Sequence, residues 1–144
     1  MKLVLTLAGL LVVAVLTTTA QSPSVTYVEH DKVAAALANG GSLVTASNLT
    51  VSGNHRAGPG MVEVHEKETD ILYMVDGEAT FVTGGTMVGG KQTAPGQLRG
   101  SDVKGGETRH LKKGDLIVIP AGIPHWFKDV SPLINYLTVK VIKQ

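Results

Sequence analysis

The chain has 144 residues, 13 Lys+Arg against 12 Asp+Glu, and no cysteine. That length suits one domain, and the missing cysteines exclude a disulfide framework. A net charge of +1 with no block of like charge gives no electrostatic ground for a nucleic-acid or anionic-membrane partner.

The first twenty residues read as an export signal. Met1-Lys2 supplies a positive start, Leu3 to Leu16 is apolar apart from Thr6 and Gly9, and Thr18-Thr19-Ala20 offers small residues for cleavage. The apolar run is short for a membrane span, which needs ~20 residues; the alternative is an uncleaved N-terminal anchor. Residues 1–20 are therefore set outside the fold as a secretion signal, with Gln21 as the mature start and an extracellular or periplasmic destination. Without Lys2 the mature chain carries 12 basic and 12 acidic residues. Residues 21–42 form an extension with one short helix, about Asp31 to Ala38, on which Val33, Ala34 and Leu37 share a face. Asp31 suits the helix dipole at its first turn, and Gly40-Gly41 stops it.

From residue 43 to 144 the chain reads as strands. Leu43–Ala46, Asn48–Ser52 and Met61–His65 come first, the last after a Gly58-Pro59-Gly60 turn. Ile71–Val75 and Ala79–Thr83 flank the hairpin signal Asp76-Gly77. Glu107–Leu111 and Leu116–Ile119 flank Lys113-Gly114-Asp115, and His125–Lys128 and Ile134–Ile142 complete the set. About nine short strands joined by Gly/Pro turns predict an all-β sandwich or barrel. Residues 84–106 break the rhythm with eight glycines and little periodicity; such a segment is either functional or a loose excursion. Gln97 and Arg99 within it are in a position to reach a ligand.

Chemistry concentrates in two stretches. Gly114 to His125 reads G-x5-P-x-G-x2-H, with Gly114, Pro120, Gly122 and His125 at the fixed positions. This segment resembles the second signature of the cupin superfamily. The first signature, G-x5-H-x-H-x3,4-E-x6-G, is kept in spacing and altered in type: counting back from Gly77 gives Asp70, His65 and Glu63, with Ala57 at the leading glycine. The stretch from Val64 to Asp70 is also similar to the first motif of small bacterial cupins. The resemblance covers about residues 43–142 and implies a double-stranded β-helix, a jelly-roll barrel, behind the short helix.

It also implies a site. Glu63 and His65 share a strand face by alternation, and cupins bring these positions together with those of Asp70 and His125 inside the barrel. His65, His125 and Asp70 are then the catalytic candidates, and the same three with Glu63 the metal ligands; Asp70, shorter than the usual Glu, either coordinates or acts through water. Imidazoles with carboxylates suit one divalent transition-metal ion. Export into an oxygenated space without a reducing pool favours copper over iron, with manganese and zinc remaining open. His55 has the parity of His65 and is a candidate third imidazole, although the intervening turn breaks the register. Trp126, next to an inward His125, is predicted to face outward, toward a sugar ring or a dimer interface. His30 and His110 read as surface residues.

The expected function is a secreted oxidoreductase acting on extracellular carbohydrate such as cellulose, because the chain is also similar in size, export and overall pattern to copper-dependent cupins that cut cellulose oxidatively. The alternative is a metal-free sugar-binding protein or isomerase, since two first-motif ligands are replaced. The expected partners are a small-molecule or polysaccharide substrate and a second copy in a homodimer, with no nucleic acid and no membrane once the signal is removed.

Overall fold

The computed structural model describes residues 24–143; the signal segment 1–20 and the mature start at Gln21 lie outside the described residues. The helix α1 spans His30–Asn39 and is followed by strands β1 Gly41–Thr45, β2 Leu49–Arg56, β3 Val62–His65, β4 Glu68–Asp76 and β5 Glu78–Thr83. Then come β6 Thr86–Val88, β7 Lys91–Ala94, β8 Gln97–Gly100, β9 Asp102–Lys104, β10 Glu107–Lys112, β11 Leu116–Ile119, β12 His125–Val130 and β13 Ile134–Ile142. Two antiparallel sheets, ordered β1-β2-β13-β4-β11 and β10-β5-β12-β3-β8-β7, form the jelly roll, and β6-β9 is a separate ribbon.

Residues 84–106 are not a loose excursion. Their glycines punctuate four short strands, and six of them take positive φ, where glycine alone is unstrained. β8 pairs with β3 and so extends the sheet that carries Glu63 and His65. Short strands separated by glycine turns carry no run long enough to show alternation, so periodicity is silent there.

The helix starts one residue early and ends one late, and its buried face differs from the predicted one. Ala36 is buried, Val33 and Leu37 are half-buried, and Ala34 is exposed. The cause is Gly53 on β2: a Cβ there would come within 2.6 Å of the Ala36 carbonyl carbon. Bare backbone lets α1 seat directly on the sheet, and this contact selects Ala36. The Asn135 amide reinforces the seat by donating to Leu37 O at 2.9 Å.

Strand alternation sorts the interior by chemistry along its length. From the apolar end to the polar end the inward residues of β4 run Met74, Leu72, Asp70, those of β13 run Ile134, Tyr136, Thr138, Lys140, and those of β12 run Phe127, His125. Leu72, Met74, Ala79, Phe81, Leu111, Ile119, Phe127, Ile134 and Tyr136 form one apolar cluster. Phe81, Met74, Ile134 and Val62 are essentially sealed from solvent, each contributing about 1.5–3 kcal/mol of burial. The barrel is thus packed with hydrocarbon at one end and lined with polar groups at the other.

Candidate metal centre

Cross-strand register builds the polar end. Glu63 faces His125 of β12 on one side and Arg99 of β8 on the other. His65 pairs with Gln97, and Asp70 pairs with Lys140 of β13. Facing residues on one sheet surface lie close enough to bond, and each of these does. The turn before β12 is tied in as well: Gly122, at φ 83, donates its N–H to His65 O at 2.8 Å. A non-glycine residue there would strain the turn that locks the two motifs together.

Both imidazoles are held by Nδ1. His65 Nδ1 donates to Gln97 Oε1, and His125 Nδ1 donates to Ile123 O at 3.1 Å. This assignment leaves the lone pair of each Nε2 pointing inward. His65 Nε2 lies 3.3 Å from Glu63 Oε2 and 3.5 Å from Asp70 Oδ2. His125 Nε2 lies 3.8 Å and 3.7 Å from the same two oxygens. His65 Nε2 is buried with no hydrogen-bond partner. With both rings neutral these four atoms are all acceptors, an arrangement that a cation, or a proton on His65 shared with Glu63, makes favourable. Bonds of about 2.0–2.2 Å to a four-coordinate ion separate its ligands by about 3.3–3.6 Å; the two His65 contacts fall in that range and the two His125 contacts lie just above it. Glu63, His65 and His125 form one donor group, and His65, Glu68 and Asp70 a second.

Cations bracket the carboxylates. Lys140 Nζ bonds Asp70 Oδ1 at 2.8 Å and Oδ2 at 3.0 Å, and Glu68 Oε2 at 3.0 Å. Arg99 Nε stands 3.5 Å from Glu63 Oε1. Burial pushes the Glu63 carboxyl up, but the His65 hydrogen bond, Arg99 and the two imidazoles outweigh it and bring its pKa down to about 2. Burial pushes His65 down, yet Glu63, Asp70 and Gln97 carry it above the usual imidazole value against Lys140. His125 moves the other way, because burial dominates over Ile123 O and the carboxylates. Glu68 is lowered: burial raises it, and the Lys140 bond and charge more than reverse that.

The cluster opens into a cavity of about 380 Å³. Glu63, His65, Asp70 and His125 all line it, as do Gln97 and Arg99. Two other candidates fall elsewhere. His55 is exposed and outside the cluster: Ser52, Asn54 and Arg56 are the inward residues of β2, and His55 Nδ1 accepts from the Asn135 amide at 2.8 Å. Trp126 borders the cavity, but its ring does not stand free. It is half-buried, its indole N–H donates to Gly60 O at 2.7 Å, and Lys128 Nζ lies 5.6 Å from the ring centre. His30 and His110 are exposed, the latter 3.1 Å from Glu78. Lys140, Glu68, Arg56 and Tyr136 also line the cavity and were not singled out by motif. A signal existed for Lys140, which has the parity of buried Ile134, Tyr136 and Thr138 on β13; a lysine on the inward face of a strand needs a carboxylate partner.

Residues 18–141 match the family model described as Cupin. No curated protein sequence matches the chain. Among solved structures, a Bacillus halodurans protein aligns with a TM-score of 0.52 at 16% identity, over 72% of this chain and 69% of its own. A Klebsiella pneumoniae protein with a double-stranded β-helix domain aligns at 0.49 and 16% identity, over 72% and 75%. The chain spans about half the length, 52%, of Peruvianin-I, a cysteine peptidase of Thevetia peruviana latex, with 67% of this chain covered at 17% identity and a TM-score of 0.44. At such identities the likeness is one of fold. With a family match over nearly the whole length and both signature spacings meeting at one point in the barrel, the chain belongs to the cupin family.

Proposed function

We propose that this protein is an exported, mononuclear metal-dependent oxidoreductase that acts on extracellular carbohydrate, with copper as the favoured ion. Processing after residue 20 would free residues 21–42, which carry α1, and the barrel 43–144. The observation that carries the metal reading is the approach of His65 Nε2 and His125 Nε2 to Glu63 Oε2 and Asp70 Oδ2, at 3.3–3.8 Å in each imidazole–carboxylate pair. Copper favours imidazole nitrogen, and oxygenated surroundings suit it.

His65 and His125 would hold the ion through Nε2, with Glu63 as the anionic ligand and Asp70 beside it. A bound copper ion supplies one-electron exchange and an open position for a small oxidant. The chain supplies the rest. Gln97 and Ile123 O fix both rings, which sets ligand direction and basicity. Arg99 steadies Glu63, and Lys140 cancels charge on Asp70 and Glu68 so that three carboxylates can share one enclosed site. A pocket of this size takes a monosaccharide or a chain end rather than the middle of a polymer.

Elemental analysis of protein purified without chelator, then copper titration, tests the reading. One equivalent bound, and oxidised sugars above a copper-only control when reductant and saccharide are added, are the expected results. A specific observation favours a second reading, a metal-free sugar-binding or isomerising barrel: Lys140 already satisfies both oxygens of Asp70. Metal below about a tenth of an equivalent with no copper uptake would select it. A homodimer is also proposed. Tyr73, Leu116 and Val118 are exposed on the β4–β11 edge, and an unpaired apolar edge favours association with a second copy.

A further inference from the structure

Arg56 ends β2 and lines the same cavity as the metal cluster. It is half-buried, and its Nε is enclosed without any hydrogen-bond partner. The other cations of the cavity are committed, Arg99 to Glu63 and Lys140 to Asp70 and Glu68. Arg56 has no carboxylate among the described residues. Its contacts are a 3.4 Å bond from Nη1 to Gly58 O, the Tyr136 phenol beside it, and the Phe127 ring, whose centre lies 5.3 Å from the guanidinium carbon.

These contacts orient the group without neutralising it. The Phe127 ring lies within cation–π reach of the guanidinium and supplies no counter-ion to it. Gly60 keeps the approach open, because a Cβ there would come within 3.1 Å of Nη1. Tyr136 lines the same wall; burial raises its phenol, Arg56 opposes this, and Glu63 and Asp70 reinforce it, so the phenol lies within electrostatic reach of both groups. An enclosed guanidinium donor left unpaired is costly, and a planar fork matches a carboxylate in a two-point bond.

We propose that Arg56 anchors the carboxylate of the substrate, so that the cavity takes a small acidic saccharide in preference to a neutral one. The saccharide half of this statement rests on the function proposed above; the carboxylate half rests on Arg56 alone. A monoanion suits the site better than a phosphate dianion, because Glu63, Glu68 and Asp70 line the same space and repel a second negative charge.

Glucuronate and glucose differ only in whether C6 is a carboxylate, so calorimetric titration of both tests the anchor. The titrations use metal-free and copper-loaded protein, with inorganic phosphate as a third probe. Glucuronate should bind at least about tenfold tighter than glucose, a difference of about 1.4 kcal/mol. Arg56→Gln should abolish that preference, and Arg56→Lys should recover part of it by restoring charge without the fork. Copper stoichiometry and the near-ultraviolet circular dichroism should match wild type in both variants; if Arg56→Gln does not fold, Arg56→Lys carries the comparison. Equal binding of the two sugars, a preference that survives Arg56→Gln, or phosphate binding as tightly as glucuronate would each overturn the proposal. Arg56-dependent preference in a protein that takes up no copper would support the anchor while removing the metal reading.

Discussion

His65 and His125 face the same two carboxylate oxygens, yet their titrations move in opposite directions. Burial dominates at His125 and depresses it; His65 is equally buried, but Glu63, Asp70 and Gln97 around it raise it. Glu63 links them, and its own displacement makes an acid-stability prediction for the metal-free protein. Its folded pKa is about 2 against 4.5 when free. Above pH 4.5 both folded and unfolded chains carry the ionised carboxylate, and its stabilising contribution is complete. As pH falls below 4.5 the unfolded chain takes up a proton first, and the contribution fades until about pH 2. Urea unfolding of wild type and Glu63→Gln between about pH 2 and 6 should show a stability gap that narrows as pH falls below 4.5. A gap independent of pH would mean that Glu63 is not held by His65 and Arg99. These contacts were only half legible in the sequence. Alternation, a local property, placed Glu63 and His65 on one face, and the resemblance to cupins added Asp70 and His125. The partners Lys140, Gln97 and Arg99 arrive through sheet register, which one strand's pattern does not encode.

At the scale of elements, the strands that carry the motifs were readable, and the packing of α1 was not. Apolar spacing offered Val33, Ala34 and Leu37 as the buried face, whereas the close approach to Gly53 turns Ala36 inward. A glycine inside a strand hints at close backbone approach without naming what approaches. Gly53→Ala would put its new carbon within 2.6–2.8 Å of Ala36 backbone and side chain, and backbone cannot yield as a flexible side chain can. The expected cost is about 1–3 kcal/mol, as for other overpacked sites, measured as a lower urea midpoint with unchanged m-value. Copper stoichiometry should stay at one, because β2 offers none of the four converging atoms. A variant as stable as wild type would mean that α1 rides loosely on the sheet. Residues 84–106 failed to read for the opposite reason: their strands are short and glycine-rich, and they acquire order through partners, β8 with β3, β7 with β8, and β6 with β9.

For the whole molecule, the arrangement that matters is the division of the barrel interior into a hydrocarbon end and a polar end. The apolar cluster supplies the stability that a cysteine-free domain obtains from its core, and this leaves the polar end free to hold a buried imidazole nitrogen without a hydrogen-bond partner. The two ends should therefore fail separately. Ile134 is fully buried in the apolar cluster, and Ile134→Ala should cost about 2–5 kcal/mol while the folded fraction still binds one copper ion. His65→Ala should do the reverse. It removes the orphaned Nε2 and the hub of three carboxylate contacts, so copper uptake should be lost with a much smaller change in the metal-free urea midpoint. Copper at a hundredfold excess over its dissociation constant should add about 2.7 kcal/mol to wild type and to Ile134→Ala alike, and nothing to His65→Ala. If His65→Ala instead unfolded the metal-free barrel as severely as Ile134→Ala, the imidazole would be part of the core. The convergence of Nε2 with the carboxylates would then be packing rather than a place kept open for an ion.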